Sequence, residues 1–68
     1  MNNIRENFAE NLKYHMHEKN LTQENFAKMI GVDQGTVSTW LLKRSEPKLS
    51  NVYAIIKCFE ITFEDLVE

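Results

Sequence analysis

Apolar residues return every three or four positions in five stretches of the chain, and nowhere do they alternate for more than three or four residues. That is the period of a helix buried on one face, and it gives strands little support. Ile4, Phe8, Leu12 and then His15 or Met16 predict a first helix over about residues 3–18, with Asn2 or Asn3 as its N-cap. Asn20 suits the left-handed turn at its end, Leu21 can pack back, and Thr22 caps a second helix over about 23–30 that buries Phe26, Ala27, Met29 and Ile30. Gly31 is placed to end that helix with positive φ. Asp33 is placed to cap a third over about 34–42, whose apolar positions are Val37, Trp40 and Leu41. Pro47 precedes a fourth pattern of Leu49, Val52, Tyr53, Ile55, Ile56 and Phe59 over about 48–59, and Thr62 caps a last turn over about 62–67. Gly35, Thr36, Ser38 and Thr39 are mediocre to poor helix formers, so tertiary packing must hold the third helix together.

With 68 residues the chain makes one domain, spanning residues 1–68, and a chain this short buries only about 60% of its unfolded surface. Hydrophobic residues at 43% and charged residues at 26% are ordinary for a soluble globular chain. No apolar run approaches the roughly 20 residues that cross a bilayer, so no membrane partner is expected. The single Cys58 cannot form an internal disulfide, and no signal-peptide pattern opens the chain, so a cytoplasmic, nucleoid-associated protein is expected.

The net charge of −2 argues against a nucleic-acid partner until its distribution is followed. From Lys13 to Lys48 six basic residues face four acidic ones, with a dense basic stretch at Lys43, Arg44 and Lys48; from Cys58 onward Glu60, Glu64, Asp65 and Glu68 stand against none. The two halves of the chain carry opposite local charge.

The second helix, a short turn containing Gly31 and the third helix have the layout of a helix-turn-helix. The segment Leu21-Thr-Gln-Glu-Asn-Phe-Ala-Lys-Met-Ile-Gly-Val-Asp-Gln-Gly-Thr-Val-Ser-Thr-Trp40 closely resembles that of the phage-repressor family, the Cro/CI type also called Xre. The resemblance continues through Pro47, Leu49, Ile55 and Leu66. It implies an all-α, compact five-helix domain like that of the lambda repressor, and a transcriptional regulator, expected to be a repressor, that reads a palindromic operator in double-stranded DNA.

On that resemblance the third helix enters the major groove and Gln34, Gly35, Ser38 and Thr39 meet base edges. Gln34 can pair bidentately with adenine, Gly35 permits close approach, and Ser38 and Thr39 are short enough for base edges or thymine methyls. Gln23 at the start of the second helix, Thr36, and the basic Lys43, Arg44 and Lys48 would hold the DNA backbone. Ile61, Phe63, Leu66 and Val67 would form a homodimer interface. Two departures from the family stand out. Lys43 occupies the place of a helix-ending Gly, and Leu41 with Met16 replaces a usual Glu–Arg pair, an exchange that removes two buried charges together.

Other chemistry finds little support in the residues. His15 and His17 point to different faces of one helix and have no partner at ligand spacing, and Cys58 has no placed base, so neither a metal, a cofactor, a small-molecule ligand nor an enzyme is expected. The competing reading is a protein-interaction module such as an antitoxin or antirepressor-like subunit, docking a partner on its acidic C-terminal end.

Overall fold

The computed structural model describes residues 3–68, and there the chain folds into α1 (Ile4–Glu18), α2 (Gln23–Ile30), α3 (Gln34–Leu41), α4 (Leu49–Phe59) and α5 (Phe63–Val67). These spans differ from the expected ones by a residue at four ends. The residues concerned, Asn3, Leu42, Lys48 and Thr62, are all caps.

Side chains start three of the helices. The Asn3 Oδ1 accepts the Glu6 N–H at 3.2 Å, and the Thr22 hydroxyl accepts that of Asn25 at 3.0 Å. At α5 the bonds are reciprocal: Thr62 accepts from the Asp65 N–H and Asp65 from the Thr62 N–H, each at 3.0 Å. The backbone N–H, then the hydroxyl, of Thr62 hold the Asp65 carboxyl below the usual aspartate range. Asn2, the other candidate cap of α1, lies outside the described residues. The expectation for Asp33 is corrected: it occupies the N-cap position of α3 with extended backbone, yet its carboxylate makes no capping hydrogen bond. Its carbonyl receives the Thr36 and Val37 N–H groups, and its side chain lines an open recess beside Lys48.

Four helices end on a left-handed residue: Asn20 (φ 54°), Gly31 (φ 76°), Lys43 (φ 64°) and Glu60 (φ 56°). In each case the next N–H reaches back to a carbonyl five residues earlier, from Leu21 to Met16, Val32 to Ala27, Arg44 to Thr39 and Ile61 to Ile56, at 2.9–3.2 Å. Leu21, Val32 and Ile61 also fold onto the core, the apolar contact that accompanies this kind of helix end. Arg44 is the exception, because it points to solvent.

The core gathers Phe8, Leu12 and Met16 of α1, Phe26 and Ala27 of α2, Val37 and Trp40 of α3, Ile55 and Phe59 of α4, and Leu66 of α5. Phe26 and Phe59 stack with ring centres 5.3 Å apart, and Phe8 meets Trp40 edge to face at 5.9 Å. Met29, expected to be buried, is exposed, since α2 turns only its Phe26 and Ala27 edge fully inward. His15 packs on Phe59, with ring centres 5.5 Å apart. A second correction concerns Leu66, expected at a subunit interface: it has 0% exposure and belongs to the core of its own chain.

α5 is too short to satisfy its own last carbonyls, and α1 supplies what is missing. The side-chain amides of Asn7 and Asn11, one turn apart, donate to the carbonyls of Val67 and Leu66 at 3.0 Å each. Among the described residues no helix is long and apolar enough to cross a membrane.

Met16 is buried, Leu41 is half-buried, and the two line one recess between α1 and α3, so an apolar pair stands at that junction. Leu41→Glu should cost about 1–3 kcal/mol by bringing a carboxylate to this apolar surface, and adding Met16→Arg should recover part of the loss. Urea denaturation of the two single variants and the double variant checks this. Strictly additive losses would show that the positions do not interact.

Candidate nucleic-acid interface

α3 is amphipathic in an uncommon way, with its large residues inside and its small ones outside. Val37 and Trp40 are enclosed, Leu41 is half-buried, and positions 34, 35, 38, 39 and 42 fall on the opposite face. Gln34, Gly35 and Leu42 are exposed there, while Ser38 and Thr39 are half-buried. Nothing within the fold requires glycine at 35: its φ is not positive, and a Cβ built on it meets no atom within 4 Å. The result is a low, polar ridge over which another surface can approach the backbone of the first turn.

Thr39 differs from its neighbours. Its hydroxyl donates to the Thr36 carbonyl at 2.8 Å and lies 2.7 Å from the Ser45 hydroxyl, which must then be the donor of that second bond. The proton and a lone pair of Thr39 are thus occupied inside the protein, and its methyl group is left for outside contact. The bond also ties the loop after α3 to the ridge.

That loop carries the basic residues. Lys43, held in the left-handed conformation, puts its Nζ 3.0 Å from the Glu10 carboxylate on α1, and the pair draws the Glu10 carboxyl below its usual range and the Lys43 ammonium above its own. Both side chains are substantially exposed, so the pair is weak and can be exchanged for another anion. Arg44 and Lys48 have no ion-pair partner among the described residues; Arg5 pairs with Glu46 at 3.3 Å. Lys48 stands at the N-cap of α4, whose first turn has no acidic residue and no side-chain cap, so its leading N–H groups remain available.

Two recesses bracket the ridge. At the amino end of α3, Lys48, Ser50 and Asn51 face Gly31, Val32, Asp33 and Thr36 across one of about 540 Å³. At the carboxyl end, Leu41 and Leu42 share one of about 400 Å³ with Gln23, Leu21 and three residues of α1. The expected base-facing residues therefore lie on one surface, with Thr36 and Lys48 at one end of it and Gln23 at the other. Glu60, Glu64, Asp65 and Glu68 belong to the other end of the molecule, where α5 lies against α1 and α4. Cys58 is half-buried, and burial pushes its thiol up, away from the thiolate form that makes a nucleophile.

Glu10, Ser45, Asn7 and Asn11 escaped the reading of the sequence. The Lys43–Glu10 and Asn–carbonyl contacts join distant segments, and the Thr39–Ser45 contact crosses a helix end, so none leaves a periodic trace.

A family model described as helix-turn-helix matches residues 12–66. The chain is 36% identical over 55 residues to an uncharacterized HTH-type transcriptional regulator of Methanocaldococcus jannaschii, a match that covers 81% of this chain and 83% of that protein. Its fold is similar to the solution structure of the SOS-response transcriptional repressor LexA from Eubacterium rectale, with a TM-score of 0.89 and 34% identity over 96% of this chain and 69% of that one. It is also similar to the crystal structure of a hypothetical transcription factor, NHTF, from Neisseria, with a TM-score of 0.88 and 26% identity over 97% of this chain and 76% of that one. With its α2–turn–α3 unit, its small polar ridge and these matches, the chain belongs to the helix-turn-helix family of the Cro/CI, or Xre, type, the DNA-binding transcriptional regulators.

Proposed function

We propose that this regulator is a repressor that binds a pseudo-palindromic operator in double-stranded DNA as a homodimer, each copy laying α3 in the major groove. The observation that carries this reading is the α3 ridge, which has no protruding side chain larger than Gln34 until Leu42 at its exit and is braced from behind by Val37 and Trp40. Such a helix can sit deep in a groove about 12 Å wide. In this reading Gln34 pairs with adenine, Gly35 brings backbone close to the bases, Ser38 bonds a base edge and the Thr39 methyl meets a thymine methyl. Gln23, Thr36, Lys43, Arg44 and Lys48 hold phosphates and set the register. Lys43 would leave Glu10 for a phosphate on binding. The repressor role is supported by the similarity to a protein named as an SOS-response transcriptional repressor.

The dimer is supported by exposed apolar surface on α4 and α5. Leu49 at 83%, Tyr53 at 65% and Phe63 at 49% exposure rim a shallow apolar recess with Val52 and Ile56. Ile61 and Val67 are half-buried against the core nearby, so Phe63 is the most accessible of the residues first assigned to the interface. The same surface is what a pure protein-interaction module would use; such a module need not retard random duplex DNA at low salt, whereas a DNA reader must.

Selection of bound duplexes from a random pool tests the function directly, and variants test its parts. Gln34→Ala should lose about 1–3 kcal/mol on the selected operator and relax preference at one position, while Lys48→Ala should weaken operator and random duplex alike and lower the salt slope by about one. An unchanged preference in Gln34→Ala would remove its base-reading role. Ser45→Ala, by freeing the loop from Thr39, should weaken both duplexes without altering preference. A change of preference would mean that Ser45 or Thr39 reads sequence.

Two recognition helices about 34 Å apart match one turn of DNA, so a full palindrome should bind two copies. The acidic residues of α5 and its approach should keep the free dimer weak through like-charge repulsion. Sedimentation is expected to give monomer at micromolar concentration and two copies on the operator duplex, and Tyr53→Glu should abolish the second. One copy on a full palindrome at saturating protein refutes the dimer.

A further inference from the structure

The recess of about 400 Å³ at the exit of α3 has a composition that the fold does not use. Its floor is apolar, made by Met16, Leu21 and Leu41. Its rim is polar on one side, with Lys13 and His17, four residues apart on one face of α1, opposite Gln23 at the start of α2. Leu42 completes the rim at 57% exposure, an apolar side chain turned to water at the last position of the ridge.

Lys13 and His17 are both exposed, and neither belongs to an ion pair among the described residues. The acidic groups nearby are otherwise engaged: Glu10, one turn before Lys13, lies 3.0 Å from Lys43, and Glu24, beside Gln23, lies 4.0 Å from Lys28. The cationic rim is therefore not neutralised from within. An apolar floor with a cationic, hydrogen-bonding rim complements a ligand that alternates a hydrocarbon ring with an anion. The deoxyribose-phosphate backbone of DNA has that alternation, one sugar and one phosphate per step.

We propose that this recess seats one sugar-phosphate unit of the DNA strand that flanks the site read by α3, with the sugar against Leu42 and Leu21 and the phosphate held by Lys13, His17 and Gln23. The inference rests on α3 lying in the major groove, because only then does a strand pass its carboxyl end. It adds α1 to the contact surface. In this chain the cation that grips the backbone beside α2 comes from the rim of the recess, while the floor, where relatives carry an ion pair, is filled by Met16 and Leu41.

The test is a fluorescence-anisotropy titration of a random duplex and of the selected operator duplex over a range of salt concentrations. It compares the wild type, Lys13→Gln, His17→Ala and, as a control, Lys57→Gln, whose ammonium lies over the Tyr53 ring on α4. Lys13→Gln should bind both duplexes about tenfold more weakly near 0.1 M salt and lower the salt slope by about one, and His17→Ala should bind both several-fold more weakly, with Lys57→Gln unchanged. A scan replacing one operator phosphate at a time by a neutral methylphosphonate locates the contact. One position should weaken the wild type but leave Lys13→Gln unaffected.

Wild-type affinity and slope in Lys13→Gln, alongside a loss in Lys48→Ala, overturn the recess as a DNA contact and leave the α3 reading standing. Wild-type binding by Lys13→Gln, Lys48→Ala and Gln34→Ala together would overturn that reading itself. Melting curves of each variant separate these outcomes from loss of fold, which substitution at these exposed positions should not cause.

Discussion

The burial of Trp40 beneath α1 is the interaction on which the rest of this molecule depends. Gly35, Thr36, Ser38 and Thr39 together disfavour an α-helix by roughly 2–3 kcal/mol relative to alanine, and an eight-residue helix of any composition is unstable alone in water. Removing a buried Trp costs about 3–5 kcal/mol, so the edge-to-face seat on Phe8, with the enclosed Val37 beside it, outweighs that deficit. This balance lets the outer face remain small and polar. A helix stabilised by its own outward residues would carry long side chains there and could not approach another surface as closely.

The ends of the helices carry the second constraint. Three of the four left-handed turns fold an apolar residue onto the core and close the structure; the turn at Lys43 instead delivers Arg44 to solvent. A lysine in that conformation costs about 1 kcal/mol more than glycine would. What it returns is a cation at a defined place, near enough to Glu10 to form an exposed and exchangeable pair. The Thr39–Ser45 hydrogen bond then ties the remainder of the loop to the ridge, so recognition helix and basic loop move as one body.

Charge is divided between the two ends of the molecule. The carboxylates of the last eleven residues cluster where α5 meets α1, an attachment secured by the Asn7 and Asn11 amides and the enclosed Leu66. The cations of the α3 exit and the α4 start lie at the other end. A net charge of −2 is thereby compatible with binding an anionic polymer, since fields within a Debye length, about 10 Å at 0.1 M salt, decide the encounter.

By itself the sequence determined the helices, because a 3.6-residue period, caps such as Thr22 and Thr62, and turns at Asn20 and Gly31 act between residues less than two turns apart. The small outer face of α3 was legible for the same reason, and the resemblance to a known family assigned its positions a role. Only the tertiary structure decided which face of α5 is inside: in five residues the period is too short to choose, and Leu66 went to the core where an interface was expected. It decided too that the Asp33 carboxylate leaves its cap, that the Thr39 hydroxyl turns inward to Ser45, that Lys43 meets Glu10, and that Lys13 and His17 face Gln23 across an apolar floor. Those contacts depend on the angles at which α1, α2 and α3 cross, and these are set by how Phe8, Phe26, Trp40 and Phe59 fill a common volume, a property of no single segment of the chain.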